Sequence, residues 1–370
     1  GVGCVELLNG MFSFAVWDVS RRCLFAARDR MGIKPFYYYQ GEGIFLFASE
    51  IKSLLLHPAV EADLDHDALQ DYLDLQYCLG DKTLFRGIRR LLPGHRLIWE
   101  AGQVRIEQYW DLDFTPREAG EEEVVERLKW LLADAVRLRL RSDVPLGTHL
   151  SGGLDSSTIA VLAADLLNSN LSVFTGGFRN GSRYDESHYA RLVAQNIGAS
   201  YFEVFPTAQD LADSFEDLIY YLDEPIAGAA VFPQYFLSKL ASEHVKVVLG
   251  GQGADEVFCG YARYLLAYLE RGLKSAIYGD VNAPDLVQLA PNLRYLQGYE
   301  PTMERLFSQD LFGPDADRYY RLLQRSQDME GIVMAGNGDM SYSTREAFRG
   351  EYERPETDSS LDRMLYVDVK

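Results

Sequence analysis

Positive charge is scarce in this 370-residue chain: 36 lysines and arginines face 55 aspartates and glutamates, for a formal net charge of −19. A surface that acidic disfavours nucleic acid and anionic membrane as partners, and leaves only a local basic pocket as a way to hold an anion. Cysteine is scarce too. Cys4, Cys23, Cys78 and Cys259 are widely scattered, with no CxxC pair and no cysteine–histidine ligand spacing, so no structural metal is expected and the reading is a reducing cytoplasm. No run of about 18 apolar residues occurs, which excludes a transmembrane helix candidate. The opening Gly1-Val2-Gly3-Cys4 has neither the basic region nor the apolar core of a signal peptide. With 47% apolar residues over this length, two or more domains with real cores are expected.

The most informative stretch is Ser151-Gly152-Gly153-Leu154-Asp155-Ser156-Ser157. An apolar run ending at Leu150 precedes it and reads as a buried strand; Thr158 to Leu167 follows and reads as a helix. A strand, a glycine-rich turn and a helix N-terminus make an anion site, because unpaired N–H groups and the positive end of the helix dipole converge there. Gly152 and Gly153 let the backbone approach a phosphate, and Ser151, Ser156 and Ser157 add hydroxyl donors. Asp155 would repel phosphate unless a divalent cation stands between them, so ATP together with Mg²⁺ is expected. The Gly-Lys-Ser/Thr ending of a Walker A loop is missing. The alternative, a turn that only caps a helix, leaves the complete pattern unexplained.

From Val144 onward strands and helices alternate, with strands expected at 146–150, 172–178, 201–205 and 245–249 and helices at 156–167, 186–196, 208–222 and 232–243. This is the signature of an α/β fold whose doubly wound parallel sheet is covered on both faces. Ligands gather at the carboxyl ends of such strands. Two further loops fall on that edge. Phe174-Thr175-Gly176-Gly177-Phe178 offers backbone to an adenine, or is a plain glycine turn. Leu249-Gly250-Gly251-Gln252-Gly253-Ala254-Asp255-Glu256 is again strand, glycine-rich loop and helix. Asp255 there could complete a Mg²⁺ shell with Asp155, or act with Glu256 as a helix-capping charge. A helix is expected over 121–141, with Glu121–Glu123 opening it and Arg137, Arg139 and Arg141 closing it as the macrodipole favours. Beyond Tyr264–Leu273, residues 279–360 show no clear period, and 349–360 read as a charged loop.

Residues 1–110 are β-rich, with a hairpin pattern turning at Gly41-Glu42-Gly43, and 111–120 form a linker punctuated by Pro116 and Gly120. The stretches Asn9 to Ala15, Arg28-Asp29-Arg30-Met31-Gly32-Ile33-Lys34-Pro35-Phe36 and Phe47 to Lys52 resemble the later half of a class II glutaminase domain. Leu92-Pro93-Gly94-His95 resembles the segment closing that domain in asparagine synthetases. Residues 140–265, through Ser151–Ser157, resemble the ATP pyrophosphatase domain of the asparagine synthetase B family. The resemblance implies a partial, layered α+β glutaminase of the Ntn type over 1–110 and a synthetase domain over 121–370. It implies contacts to ATP from Leu150, Ser151, Gly152, Gly153, Asp155, Ser156, Ser157, Gly176, Gly250 and Gly251, metal ligation by Asp155 and Asp255, and catalytic work by Asp155, Asp255 and Gln252. The implied substrates are glutamine or ammonia, an aspartate-like carboxylate and ATP, and a homodimer is compatible with the family.

Three departures qualify this. The family's nucleophile is an N-terminal cysteine whose own amine is the base; here Gly1 stands first, and Cys4 is expected to be a small buried hydrophobe. Arg28 and Asp29 are expected to be turn charges. Gln252 stands where many members carry glutamate, and an amide cannot accept a proton from ammonia. The final helical lobe with its catalytic lysine is expected to lie past Lys370, which is not that lysine. A β-lactam synthetase or lasso-peptide cyclase type of acceptor, and a non-catalytic nucleotide-binding homologue, therefore stay open. Asp223-Glu224-Pro225 is a candidate wall for the acceptor pocket.

Overall fold

The computed structural model describes residues 1–167, 170–177, 185–225, 228, 230–278, 290–307, 313–326 and 342–370, without the side chains of 290 and 305. The expected position Phe178 falls outside these. Two compact units result: Gly1–Thr115 with Asp223–Ile226 and Cys259–Lys370, and Pro116–Leu222 with Ala227–Phe258.

The first unit begins with two antiparallel sheets. Strands β1 (Ser13–Asp18), β2 (Cys23–Arg28), β6 (His95–Glu100) and β7 (Gln103–Gln108) form one, in the order β1-β2-β6-β7. Strands β3 (Tyr37–Gly41), β4 (Ile44–Ala48) and β5 (Ile88–Arg90) form the other, with β3 central. Alternation puts Ala26 and Leu97 of the first sheet into one core with Tyr38 of the second, and Phe36 and Leu91 beside its strands. Helix α1 (Ile51–Leu55) closes the far side of β3 and β4 through Ile51 and Leu54. The hairpin turns at Gly43, whose φ of +71° is left-handed. Cys4 is half-buried in a 3₁₀ turn over Val2–Leu7, and it is Val5 that is buried there. The helical turn is too short to cover both.

The compact units do not follow the chain order of the expected domains. Helix α2 (His66–Leu75) supplies Leu75, and the loop after it Leu79, to one core with Tyr264, Tyr319, Tyr320, Phe348, Tyr352 and Met364. The helices bearing those aromatics (Ala262–Tyr278, Asp315–Leu323, Thr344–Tyr352 and Ser360–Val369) thus belong with the first unit. The stretch 349–360 expected as loop is helical through Tyr352, because Phe348 and Tyr352 share a buried face one turn apart. Buried carboxylates of α2 strengthen the joint. Asp71 accepts from Leu79 N–H (3.0 Å), Lys82 (2.8 Å), Tyr342 (2.6 Å) and Thr344 (2.9 Å). Asp74 accepts from Tyr320 at 2.7 Å.

The second unit is a parallel sheet of β8 (Leu146–His149), β9 (Ser172–Gly176), β10 (Ser200–Val204) and β11 (Val247–Leu249). Their spatial order is β10-β9-β8-β11, every pair parallel. On one face lie α3 (Glu121–Arg139), α4 (Leu154–Leu166) and α5 (Ser187–Asn196), through Val136, Ala160, Ala163, Ala190 and Ala194. On the other lies α7 (Val231–Ser242), through Leu237, Leu240 and Ala241 against Phe174 and Val248, with α6 (Ala208–Leu222) packed against α7. The second unit is therefore doubly wound, as the alternation predicts. Only the end of α3 is covered, at Val136 and Leu140; Val124, Val125 and Leu131 stay largely exposed.

Candidate active site

The order β10-β9-β8-β11 reverses between β8 and β11. The chain runs from β8 outward through β9 and β10, then returns to the other side of β8 with β11. This is a topological switch point, and in such sheets ligands gather at the carboxyl ends of the two strands that flank it. Ser151–Ser157 is the loop after β8, and Gly250–Glu256 is the loop after β11.

The first loop is braced by its own side chains. Leu150 is fully buried; its N–H donates to Phe174 C=O (2.8 Å), and its C=O accepts from Thr175 Oγ1 (2.6 Å). The Ser151 and Ser156 hydroxyls are bonded to each other at 2.9 Å. Ser151 Oγ accepts from Gly153 N–H (3.2 Å), and Ser151 N–H donates to Ser156 Oγ (3.1 Å). Two of the three serines expected as ligand donors therefore shape the loop. Gly153 caps α4 without a side-chain bond, so the N–H groups of Leu154, Asp155 and Ser156 have no acceptor within the helix. Gly152 takes a φ of +90°, and a Cβ there would meet Ala190 N at 2.7 Å and Tyr189 Cβ at 2.8 Å. Only glycine lets this loop lie against the start of α5.

The second loop approaches the first just as closely. A Cβ on Gly251 would stand 2.9 Å from both Asp155 Cβ and Ser156 N. The two loops are in van der Waals contact there, and a side chain on Gly251 would force them apart. Gln252 folds back so that its Oε1 lies against Gly250, and its side chain is exposed. Asp155 and Asp255 stand in the first turns of α4 and α8 (Ala254–Phe258). Among the described residues, no three His, Cys, Asp or Glu side chains converge on a metal position. A carboxylate at each of these two helix starts would suit a hard cation that takes its other ligands from phosphate oxygens and water.

Gly176 pairs with Val204 at the end of β9, and Gly177 N–H donates to Val204 C=O at 3.0 Å. Asp185 sits one residue before the cap of α5 and accepts from Ser187 N–H at 3.0 Å, which lowers its pKa. It is a turn residue. Asp223 and Glu224 are also committed to structure. Asp223 caps α1 through Ile51 N–H (2.7 Å) and pairs with Lys52 (2.8 Å). Glu224 accepts from Leu84 N–H (2.7 Å) and Arg90 (3.2 Å). Their expected place in an acceptor pocket gives way to this role, because carboxylates so deeply engaged are not offered to a ligand. Asp29 accepts from four backbone N–H groups, of Phe12, Met31, Ile33 and Lys34, as a turn charge does.

Ser157 is an expected donor; Thr148 and His149 are not among the expected site residues. Thr148 Oγ1, His149 Nε2 and Ser157 Oγ are buried and have no hydrogen-bond partner among the described residues. Burial lowers the pKa of His149, and its Nδ1 meets the Gln234 amide at 3.2 Å. Orphaned polar atoms on either side of a loop are uncommon away from functional positions, and nothing in the local sequence announces them.

The arrangement is a pair of strand–glycine loop–helix units side by side on a doubly wound sheet, with helix N-termini of the kind that hold anions. The asparagine synthase family model matches residues 127–370, and a glutamine amidotransferase domain model matches residues 1–110. The chain belongs to the asparagine synthase family. A protein of Mycobacterium bovis named as a putative glutamine-hydrolysing asparagine synthetase is 40% identical over 276 residues, 71% of this chain and 41% of that one. A Methanocaldococcus jannaschii protein with a similar name is 34% identical over 274 residues, 72% of this chain and 53% of that one. A Penicillium rubens protein named amidase chyE is 36% identical over 284 residues, 70% of this chain and 41% of that one. The chain spans about half the length of these relatives or less. No helix among the described residues is long and apolar enough to cross a membrane.

Proposed function

We propose that the crevice between β8 and β11 activates a carboxylate with ATP, and that the protein joins the activated acid to ammonia drawn from glutamine. In this scheme the acid's oxygen attacks the α-phosphorus and the α–β bridging bond breaks, releasing pyrophosphate. Ammonia then attacks the acyl carbon, and AMP leaves with the C–O bond electrons. The observation that carries this is the closeness of Gly251 to Asp155 and Ser156: two glycine-rich loops, each leading into an acidic helix start, pack so tightly that a Cβ on Gly251 would stand 2.9 Å from Asp155 Cβ and from Ser156 N.

The N–H groups of Leu154, Asp155 and Ser156 hold phosphate oxygens, with Gly152, Gly153, Gly250 and Gly251 giving clearance. Ser151, Ser156 and Leu150 keep the loop in shape, Ser157 Oγ is a further donor, and Gly176 borders the adenine. Asp155 and Asp255 would hold Mg²⁺, which when bound supplies charge neutralisation at the departing pyrophosphate. Gln252 orients rather than deprotonates, since an amide is no base.

The test is release of pyrophosphate by the protein given ATP, Mg²⁺, glutamine and aspartate. Release that depends on aspartate supports the asparagine reading. Because Gln252 replaces a carboxylate, a panel of other carboxylic acids forms a second arm; release with one of those alone moves the assignment to a different acceptor. No release with any acid, despite ATP binding, would leave a nucleotide-binding homologue.

A further inference from the structure

A second cavity lies wholly inside the first unit, far in sequence from the phosphate loop. Its volume is about 320 Å³, at the lower edge of the roughly 300–1,000 Å³ usual for small-molecule sites. In a chain of net charge −19, its wall is basic. Arg28, Arg90, Arg354 and Lys370 line it together with His95, against a single acid, Glu351. The rest is mostly apolar, with Met31, Leu79, Leu92 and Val367 among the lining residues.

The cations fall into two groups. Arg28 is built into the wall: Nε donates to Lys34 C=O (2.8 Å), Nη1 to Leu91 C=O (2.7 Å) and Nη2 to Gly32 C=O (2.6 Å). Gly32, at a φ of +64°, allows this, because a Cβ would meet Pro93 Cγ at 2.7 Å and Arg28 Cζ at 3.2 Å. These partners are neutral carbonyls, and among the described residues no carboxylate forms an ion pair with Arg28. Burial pushes its pKa down, and the nearby Arg90 adds to that against the pull of Tyr37 and Asp29. Arg90 pairs with Glu224 through Nη2, yet its Nε is buried and without a partner among the described residues. The second group surrounds His95, whose Nδ1–H donates to Pro93 C=O at 2.8 Å. Burial lowers the His95 pKa; the Pro93 carbonyl and Asp111 oppose this, while Lys370 and Arg354 push further down. Arg354 reaches Glu351 and Gln108 only at 3.4 Å each, at the weak end of hydrogen bonding. Lys370 is held by Asp111 at 2.8 Å.

We propose that this cavity binds a small dicarboxylate, one carboxylate on the Arg28–Arg90 side and the other beside His95, Arg354 and Lys370, with its carbon body on the apolar wall. Several basic groups on a wall that is otherwise mostly apolar match an anion with two charged ends and a carbon body better than inorganic phosphate, and arginine forks suit carboxylates. The site goes beyond the adenylation reading and does not depend on it.

Calorimetric titration of the chain with glutarate, inorganic phosphate and sodium chloride, at matched ionic strength, tests this. Glutarate should bind saturably, one per chain, and raise the pKa of His95, followed by NMR and assigned with His95→Gln. Arg354→Gln and Lys370→Gln, both at the rim, should each weaken binding at least about fivefold, as expected for loss of a charged hydrogen bond. Arg28→Gln is a poor choice because it removes three bonds that hold the wall. Absence of saturable glutarate binding overturns the proposal. So does an unchanged affinity in both rim variants, or an equal response to chloride, which would be screening alone. Saturable phosphate binding that excludes glutarate overturns the dicarboxylate assignment.

Discussion

At the residue scale, the strongest statement concerns Gly251, which no property of its own side chain recommends. Its backbone stands where a methyl group would press on Asp155 and Ser156 N–H. We expect Gly251→Ala to weaken ATP binding about tenfold or more and to lower thermal stability as well, because the added carbon meets Asp155 Cβ and Ser156 N at 2.9 Å and displaces the loop that frames the site. A fluorescent ATP analogue measures it; unaltered affinity removes the cradle from the mechanism. Asp155→Asn should lower pyrophosphate release by roughly two to three orders of magnitude, a loss comparable to removing one key electrostatic group, with the melting temperature preserved. Release at the original rate would refute its metal role. The SGGLDSS stretch was legible because its residues combine unusual chemistry with a fixed order. His149 and Thr148 were not, since an apolar strand tolerates either, and their orphaned atoms exist only once the sheet has closed over them. Asp223 and Glu224 misled for a related reason. Acidic residues before a proline look available in a sequence, and their partners lie over 130 residues away.

At the element scale, β8 carries an acid sensitivity. His149 is buried next to the loop it supports, with a pKa held below its ordinary 6.5 by burial. The unfolded chain therefore binds a proton more readily than the folded one. This contribution to stability is complete above about pH 6.5 and fades as the pH falls below it toward the lowered native value. Urea unfolding of the second unit at pH 7.5 and pH 5.5 should show the loss, and His149→Leu should reduce it. An identical pH dependence in the variant would show that other groups dominate. Elements of the second unit could be read from the sequence to within two or three residues at most ends, because a parallel sheet buried on both faces needs uninterrupted apolar strands. The C-terminal helices could not. Their burial is achieved in part by tyrosines that donate hydrogen bonds to Asp74 and Asp368, so apolar periodicity is weak where packing is dense.

At the scale of the whole molecule, the grouping of segments was the part furthest from view. The sequence suggests one cut near residue 115; the folded chain passes between units four times, with Asp223–Ile226 inserted in the first unit. Such a grouping is set by side-chain complementarity between distant segments, which no local pattern encodes. Its energetic centre is α2. Asp71→Ala leaves Lys82 and the hydroxyls of Tyr342 and Thr344 without their acceptor. Breaking a buried pair in this way costs about 3–5 kcal/mol. We expect the first unit to unfold at correspondingly lower denaturant, with the second unit's transition unmoved. A shift of both together would mean that the two units unfold cooperatively.

The core shared by α2 and Met364 also imposes a waiting time during synthesis. Leu75 and Leu79 leave the ribosome nearly 300 residues before Met364, the last buried member of their cluster. At translation rates of roughly 5–20 residues per second, that apolar face stays uncovered for on the order of 15–60 seconds. The second unit has all its strands by Leu249 and can finish first. The nascent chain should therefore be a chaperone client through its early segment, with release only after the last helix emerges.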